Sequence, residues 1–392
     1  MPAPSAPRVK SALPEGHLRV AYAIDSLAAS GGTELHAVRL AEHMARTGTS
    51  VSLVTLNSDG PMRARYSAAG IEIHPFPVRS LVGRSAVAQA RSMAAFFRAG
   101  RFDVVHAHDC YTNFLATLAG RMAGVPLVIA SKRWTQHLWP QHAWTNRIAF
   151  RAAHLVVANS EAVAETVHRD EWVARGRIHV TPNFLDASAF EVPPPEARRT
   201  LRLSLGYGDD DVVFVILAQL RVEKDHGLLL RAFERVVRTH PAARLLVVGD
   251  GPERERIEAA IASRSLGASV HMSGHSSSPR ALLAAADVCV LSSQHEGFPN
   301  ALMEGMAVGR PVVATAAGGV VDAVRDGETG LLSPVGDEEK LADNLTRILS
   351  DETLRRRLGM GARADMEARF GAAAAIQKLQ ALYHANLLES RR

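Results

Sequence analysis

From Leu18 onward, short apolar runs alternate with longer stretches whose apolar residues recur at helical spacing. Residues 18–24, 50–56, 71–74, 103–105, 126–130 and 154–158 read as strands, with helix-like segments between them. Strands separated by helices are joined by crossovers and pair in parallel, so the pattern predicts a parallel sheet with helices on both faces. The alternation breaks between about 181 and 211, where Thr181-Pro182-Asn183, Pro193 to Pro195 and Asp209 to Asp211 favour turns, and a linker is expected there. It then resumes, with strands predicted at 212–218, 244–248, 269–272, 288–291 and 311–314. From Glu338 the chain reads as successive helices, with a break around Phe370-Gly371. A last helix follows, carrying Ile376, Leu379, Leu382 and Tyr383 on one face. No short-period repeat interrupts this order.

Length agrees with the pattern, since 392 residues exceed one comfortable core and suit two α/β domains. The segment 1–17 is rich in Pro and Ala and lacks the apolar core of a signal peptide, and no run of eighteen apolar residues offers a membrane span. A flexible tail and a cytoplasmic setting are expected. The two cysteines, Cys110 and Cys289, lie far apart in apolar surroundings, which argues against a disulfide framework or thiolate metal site. A net charge of +5, carried mainly by arginine, suits anionic partners such as nucleotides or phospholipid headgroups. No zinc-finger spacing or aromatic RNA signature points to nucleic acid.

The segment richest in chemistry is Ser292-Ser293-Gln294-His295-Glu296-Gly297-Phe298-Pro299-Asn300-Ala301-Leu302-Met303-Glu304, directly after an apolar strand and opening a helix. Ligands of open α/β sheets bind at such strand ends. Pro299 suits a first helical turn, which would turn the amides from Gly297 to Ala301 toward a diphosphate or sugar oxygens. A carboxylate accepts two hydrogen bonds side by side, as vicinal sugar hydroxyls offer, so Glu296 and Glu304 could grip the two ends of a sugar nucleotide. Taken in isolation, two glutamates are more often solvated surface residues.

Glu296 and Glu304, with seven residues between them, resemble the paired-glutamate signature of the large retaining glycosyltransferase family 4. Other motifs resemble the same family in order: Gly31-Gly32-Thr33-Glu34 before an apolar helix ending at Gly48, Val104-Val105-His106-Ala107-His108, Pro182-Asn183 with Asp186, Val248-Gly249-Asp250-Gly251-Pro252, and Gly318-Gly319 followed by Asp326-Gly327 and Thr329-Gly330-Leu331-Leu332. The likeness runs from about Leu18 to the final helix. It implies the GT-B architecture, in which two Rossmann-like doubly wound domains face a central cleft and a C-terminal helix crosses back to the first. The expected domains are 18–190 on the acceptor side, 191–370 on the nucleotide-sugar donor side, and 371–392 as the returning helix.

Residue by residue, the resemblance implies that Glu304 holds the ribose hydroxyls, while Glu296 and the backbone of Gly297, Phe298, Pro299, Asn300 and Ala301 hold the donor sugar. Gly31 and Gly32 would let the chain approach the diphosphate, where a Cβ would clash. Lys224 resembles the lysine that neutralises the leaving diphosphate, a stabilising charge where negative charge grows. His108 resembles the histidine at the donor sugar and acceptor, and His106 reads as structural. Gln219 stands where the family carries an arginine, so one diphosphate contact is missing or is supplied by Arg221 or Arg133. Gly249 to Pro252 reads first as a strand-to-helix turn. Gly274 resembles the glycine before the base-contacting loop, while Ser276 to Ser278 carry no assignment.

The implied reaction transfers a glycosyl group with retention, from a UDP- or GDP-sugar to a glycan, glycolipid or lipid-linked hydroxyl, in cell-surface polysaccharide or lipopolysaccharide assembly. No metal and no other cofactor is expected. No carboxylate pair supplies the nucleophile that retaining glycosidases use, so a same-face displacement is favoured. A nucleotide-sugar epimerase on the same scaffold, or a non-catalytic sugar-nucleotide-binding protein in view of Gln219, remain alternatives. A dehydrogenase is disfavoured, because no strand-to-helix G-x-G-x-x-G is present. Lys132, Arg133, Trp134, Trp139, Trp144 and Arg147 make 131–151 basic and aromatic. That suits either an anionic membrane at the inner face of the cytoplasmic membrane or a helix packing its tryptophans on the core.

Overall fold

A computed structural model describes residues 18–28, 31–78, 80–81, 83–135, 143–276 and 278–390. The expected tail 1–17, Trp139 and Ser277 lie outside the described residues. Seven strands, β1 (Arg19–Ser26), β2 (Ser50–Asn57), β3 (Glu72–Pro75), β4 (Val104–Ala107), β5 (Leu127–Lys132), β6 (Leu155–Ala158) and β7 (Ile178–Val180), form a sheet in the order β3-β2-β1-β4-β5-β6-β7. Six more, β8 (Val212–Leu217), β9 (Ala243–Val248), β10 (Val270–Gly274), β11 (Val288–Leu291), β12 (Val312–Thr315) and β13 (Gly330–Ser333), form a second sheet in the order β10-β9-β8-β11-β12-β13. Pairing is parallel on both sides of the first strand of each sheet: Val20 faces Val51 and Val104, and Phe214 faces Leu245 and Val288. The chain reverses its direction of travel across the sheet at β1/β4 and again at β8/β11. Loops leaving adjacent strands there diverge, and their carboxyl ends frame a crevice.

The near-continuous apolar runs follow from helices covering both faces of a parallel sheet. In β8 and β9 the side chains divide by parity: Val213, Val215, Leu246 and Val248 enter one buried cluster, and Phe214, Ile216, Leu245 and Val247 the other. Two strands escape the sequence pattern. β7 has three residues, and β13 has four, opened by a glycine.

The stretch predicted as a turn-rich linker contains a helix, Pro195–Ser204, with Pro195 in its first turn, where a missing N–H costs nothing. Arg202 on that helix is buried and anchors it, donating to Asp287 Oδ2 at 2.9 Å and to the Asp211 carbonyl at 2.6 Å. The final helix, Ala372–Ser390, buries Ile376, Leu379, Tyr383 and Leu387 with Leu382 half-buried beside them, the stripe expected of an amphipathic helix. Contacts divide the chain into two compact units, one built of the described residues of 1–131, 145–156 and 376–392, the other of 132–144 and 157–375. Cys110 and Cys289 are both buried. Among the described residues no helix is long and apolar enough to cross a membrane.

Candidate active site

In the second unit, the loops after β8 and β11, the two strands at the reversal, meet. After β8 a 3-10 turn, Val222–Lys224, ends at Asp225, whose φ of +43° lies in the left-handed region that aspartate tolerates better than most residues. Asp225 then caps the helix His226–Thr239 by accepting the Leu228 N–H at 3.0 Å. This sharp entry fixes Lys224 at the strand end. Its ammonium lies 2.5 Å from Glu296 Oε2, and Ser293 Oγ donates to the same oxygen at 3.4 Å. The Lys224 and Glu296 side chains are only 19% and 13% exposed, so the pair is shielded from most of the solvent screening that weakens surface ion pairs.

Three further bonds stitch the two loops: Ser292 Oγ donates to the Lys224 carbonyl (2.8 Å), the Gln294 amide to the Glu223 carbonyl (2.8 Å) and Gln294 Nε2 to Asp225 Oδ2 (2.8 Å), while Thr315 Oγ1 at the end of β12 donates to the Ser293 carbonyl (2.6 Å). The cation and carboxylate are therefore held by the scaffold as well as by each other.

The loop after Glu296 is clamped on two sides by close backbone approaches. A Cβ on Gly297 would stand 2.1 Å from the Arg133 carbonyl oxygen. One on Gly319 would stand 2.1 Å from the Gly297 carbonyl oxygen, and one on Gly318, with φ +49°, 2.1 Å from that of Glu296. The Gly319 amide donates to the Glu296 carbonyl at 3.0 Å. Phe298 turns inward, 5.7 Å from the Phe370 ring, so its side chain is core and only its backbone is left for a ligand. Pro299 precedes the helix Asn300–Ala307 as its cap instead of occupying the first turn, and its carbonyl accepts the Met303 amide at 3.1 Å. Asn300 Oδ1 accepts from Asn183 Nδ2 at 2.6 Å, and Asn183 Oδ1 accepts from Arg133 Nη1 at 2.6 Å. This amide chain, which fixes the helix start, was invisible in the sequence beyond the Pro182-Asn183 motif itself. One turn after Asn300 stands Glu304, 9% exposed, at the i+4 position of the same helix face.

Arg133 and Arg221 are the cations expected to replace the missing arginine contact. Arg133 is buried and committed to Asn183. Arg221 lines a cavity of about 170 Å³ with Asp225, His226, Arg231, Glu253 and Arg256, and neither Lys224 nor Glu296 borders it. Gln219 is exposed. Gly249 and Gly251, with φ of +143° and +157°, press onto the segment around Gln219: a Cβ would meet the Ala218 carbonyl oxygen at 1.9 Å or that of Leu220 at 2.5 Å. That close packing accounts for both glycines without a ligand.

In the first unit, Gly31 caps the helix Gly32–Arg46 with φ −74°, and a Cβ there would meet the Glu34 carboxylate at 2.6 Å. His106 lies in β4 and His108 directly follows it. The His108 amide donates to the Ala23 carbonyl (2.9 Å) and its ring stacks on His106 with centroids 4.2 Å apart and planes at 29°. Sequence reading passed over Asp25 at the end of β1, where it receives the Tyr111 and Thr112 amides at 3.0 and 2.7 Å. Burial lifts its pKa to about 6, against the lowering effect of those two amides, and nearby Glu34 adds to the rise. Its only sequence signal is an acid closing an apolar strand. Among the described residues no group of three or more His, Cys, Asp or Glu side chains is placed to hold a metal.

Comparison with known proteins agrees with this layout. Residues 30–189 match the model described as Glycosyltransferase Family 4, and residues 197–365 the model described as Glycosyl transferases group 1. The N-acetyl-alpha-D-glucosaminyl L-malate synthase of Bacillus anthracis is 26% identical over 368 residues, covering 90% of this chain and 94% of that one. The lipopolysaccharide core biosynthesis glycosyltransferase LpsE of Rhizobium meliloti is 31% identical over 209 residues, covering 53% of this chain and 58% of its own. Among solved structures, Anabaena HepE in complex with UDP superposes with a TM-score of 0.84 at 20% identity, covering 94% of this chain and all of that one, and it has also been solved with UDP-glucose. With two parallel sheets of seven and six strands and family matches over both halves, the chain belongs to the family 4 glycosyltransferases of GT-B fold.

Proposed function

We propose that the enzyme transfers a glycosyl unit from a nucleoside-diphosphate sugar, with a UDP-sugar preferred, to a hydroxyl of a glycan, glycolipid or lipid-linked acceptor, with retention at the anomeric carbon. The observation that carries this reading is the Lys224–Glu296 pair at 2.5 Å across the loops of β8 and β11. A diphosphate competes with Glu296 for Lys224, and sugar hydroxyls compete with Lys224 for Glu296, so donor binding exchanges one charge-assisted contact for two. Lys224 then opposes the charge that grows on the departing diphosphate. Glu304, on the adjoining helix, takes the ribose hydroxyls, and His108 orients the sugar or acceptor.

In the favoured same-face displacement, the anomeric carbon–phosphate oxygen bond breaks as the acceptor oxygen bonds to that carbon from the same side. The acceptor's proton passes to the departing phosphate. Neutralisation falls to Lys224 instead of a divalent ion. The complexes of HepE with UDP and UDP-glucose support the donor class, and the lipopolysaccharide relative supports a surface-glycan acceptor. Trp144 and Ile148 are each 43% exposed on the helix Ala143–Ala152, one turn apart and followed by exposed Arg151, which supports contact with an anionic membrane at its inner face.

A thermal-shift panel of UDP-, GDP-, ADP- and TDP-sugars tests the reading, because a ligand bound only by the folded state raises stability by mass action. With the donor so identified, Glu296→Ala and Lys224→Ala are expected to lower turnover by about two to three powers of ten. Unchanged turnover in Glu296→Ala overturns the assignment.

A further inference from the structure

The His106 ring in the first unit is gripped at both nitrogens. Nδ1 lies 2.7 Å from the Tyr383 hydroxyl and Nε2 lies 2.7 Å from Ser131 Oγ. Ser131 is itself fixed by Asn113, whose Nδ2 donates to the Ser131 carbonyl at 2.7 Å and whose Oδ1 accepts the Ser131 amide at 3.1 Å. Tyr383 arrives from the final helix, 277 positions later in the chain, and its hydroxyl also lies 3.3 Å from that of Tyr22. Tyr22, His106, Ser131 and Tyr383 are all at most 1% exposed.

A neutral imidazole offers one donor and one acceptor, and the Tyr383 and Ser131 hydroxyls can each take either role, so this network is satisfied in either tautomer. Turning the ring breaks two buried bonds and strands polar atoms away from water, which the fold resists. His106 is therefore a rigid plate. The His108 ring lies against that plate at 4.2 Å, with the Tyr22 ring 5.3 Å away.

We propose that Tyr383 is a positioning residue for glycosyl transfer: by fixing His106 it sets the rotation of the stacked His108 ring, the group assigned above to the sugar and acceptor. The inference rests on that assignment of His108. The final helix thereby carries a duty in the chemistry besides closing the core of its unit, and the first histidine of the His-x-His motif acts through the second.

The test uses the full chain with Tyr383→Phe, which keeps the ring and its packing and removes only the hydroxyl. Histidine-selective ¹⁵N labelling reads the His108 ring directly, with resonances assigned from His106→Gln and His108→Gln. A shifted or exchange-broadened His108 signal in Tyr383→Phe is expected, together with a fall in kcat of about tenfold while donor KM stays within about twofold, because misorientation costs rate before it costs binding. Tyr383→Phe combined with His108→Gln should be no slower than His108→Gln alone. Should Tyr383→Phe fold poorly, Ser131→Ala frees the same ring from its other nitrogen and should reproduce the pattern. An unchanged His108 signal and kcat in folded Tyr383→Phe overturns the positioning role while leaving the function standing, provided His108→Gln is slow. Wild-type turnover in His108→Gln overturns both.

Discussion

His226 sits one residue from Asp225 and two from Lys224, and its ring carries a readable cost. Burial first, and the Lys224 charge second, push its pKa down to about 4, with Asp225 pulling weakly the other way. A histidine depressed in the folded state contributes stability that is present above its unfolded value near 6.5 and is lost as pH falls through about 4. The shift corresponds to something on the order of 3 kcal/mol over that window. His226→Leu should therefore flatten the decline of unfolding free energy between pH 6.5 and 4, as read by urea titration at each pH. An equally steep decline in the variant would show that another group carries it. At this scale Lys224, Glu296 and Glu304 were legible from their motifs. The Asn183–Asn300 contact was not, because it depends on where loops distant in sequence come together.

The loop that carries Glu296 is held by absent side chains as much as by present ones. Since a Cβ on Gly297 would stand 2.1 Å from backbone oxygen, Gly297→Ala must push the loop away from Arg133 or displace Arg133 and strain the Asn183–Asn300 link. Overpacking of this kind costs about 1–3 kcal/mol. Gly267→Ala, with nothing within 4 Å of its Cβ, is the matched control and should leave the melting temperature nearly unchanged in calorimetry. Equal melting temperatures for the two variants would mean the loop yields freely. Eleven of the thirteen strands among the described residues were legible from their apolar runs, down to the four residues of β3, β4, β6, β11 and β12. β7 and β13 were not, nor was the helix Pro195–Ser204, whose prolines read as turns until the first-turn position of Pro195 is seen.

At the scale of the whole molecule, the doubly wound pattern was legible twice over because each sheet repeats one rule, an apolar strand followed by an amphipathic helix. The repeated reversal of strand order, at β1/β4 and at β8/β11, puts the ends of two central strands side by side in each sheet, and the motif residues Lys224 and Glu296 fall on one such pair of ends. The two cysteines fall one to each compact unit, Cys110 in the first and Cys289 in the second. Cys289 is 1% exposed in β11, with its thiol pKa raised by burial to about 12, and Cys110 is 9% exposed at the start of the helix Cys110–Ala123. Both are protected from alkylation while their surroundings stay closed. Pulsed alkylation across a urea series, followed by peptide mass spectrometry, should show Cys110 modified at lower denaturant than Cys289. Coincident curves would mean that both halves open in one step. Nature has thus left one silent chemical clock in each half of the molecule, and their two readings would time the halves separately in an unaltered chain.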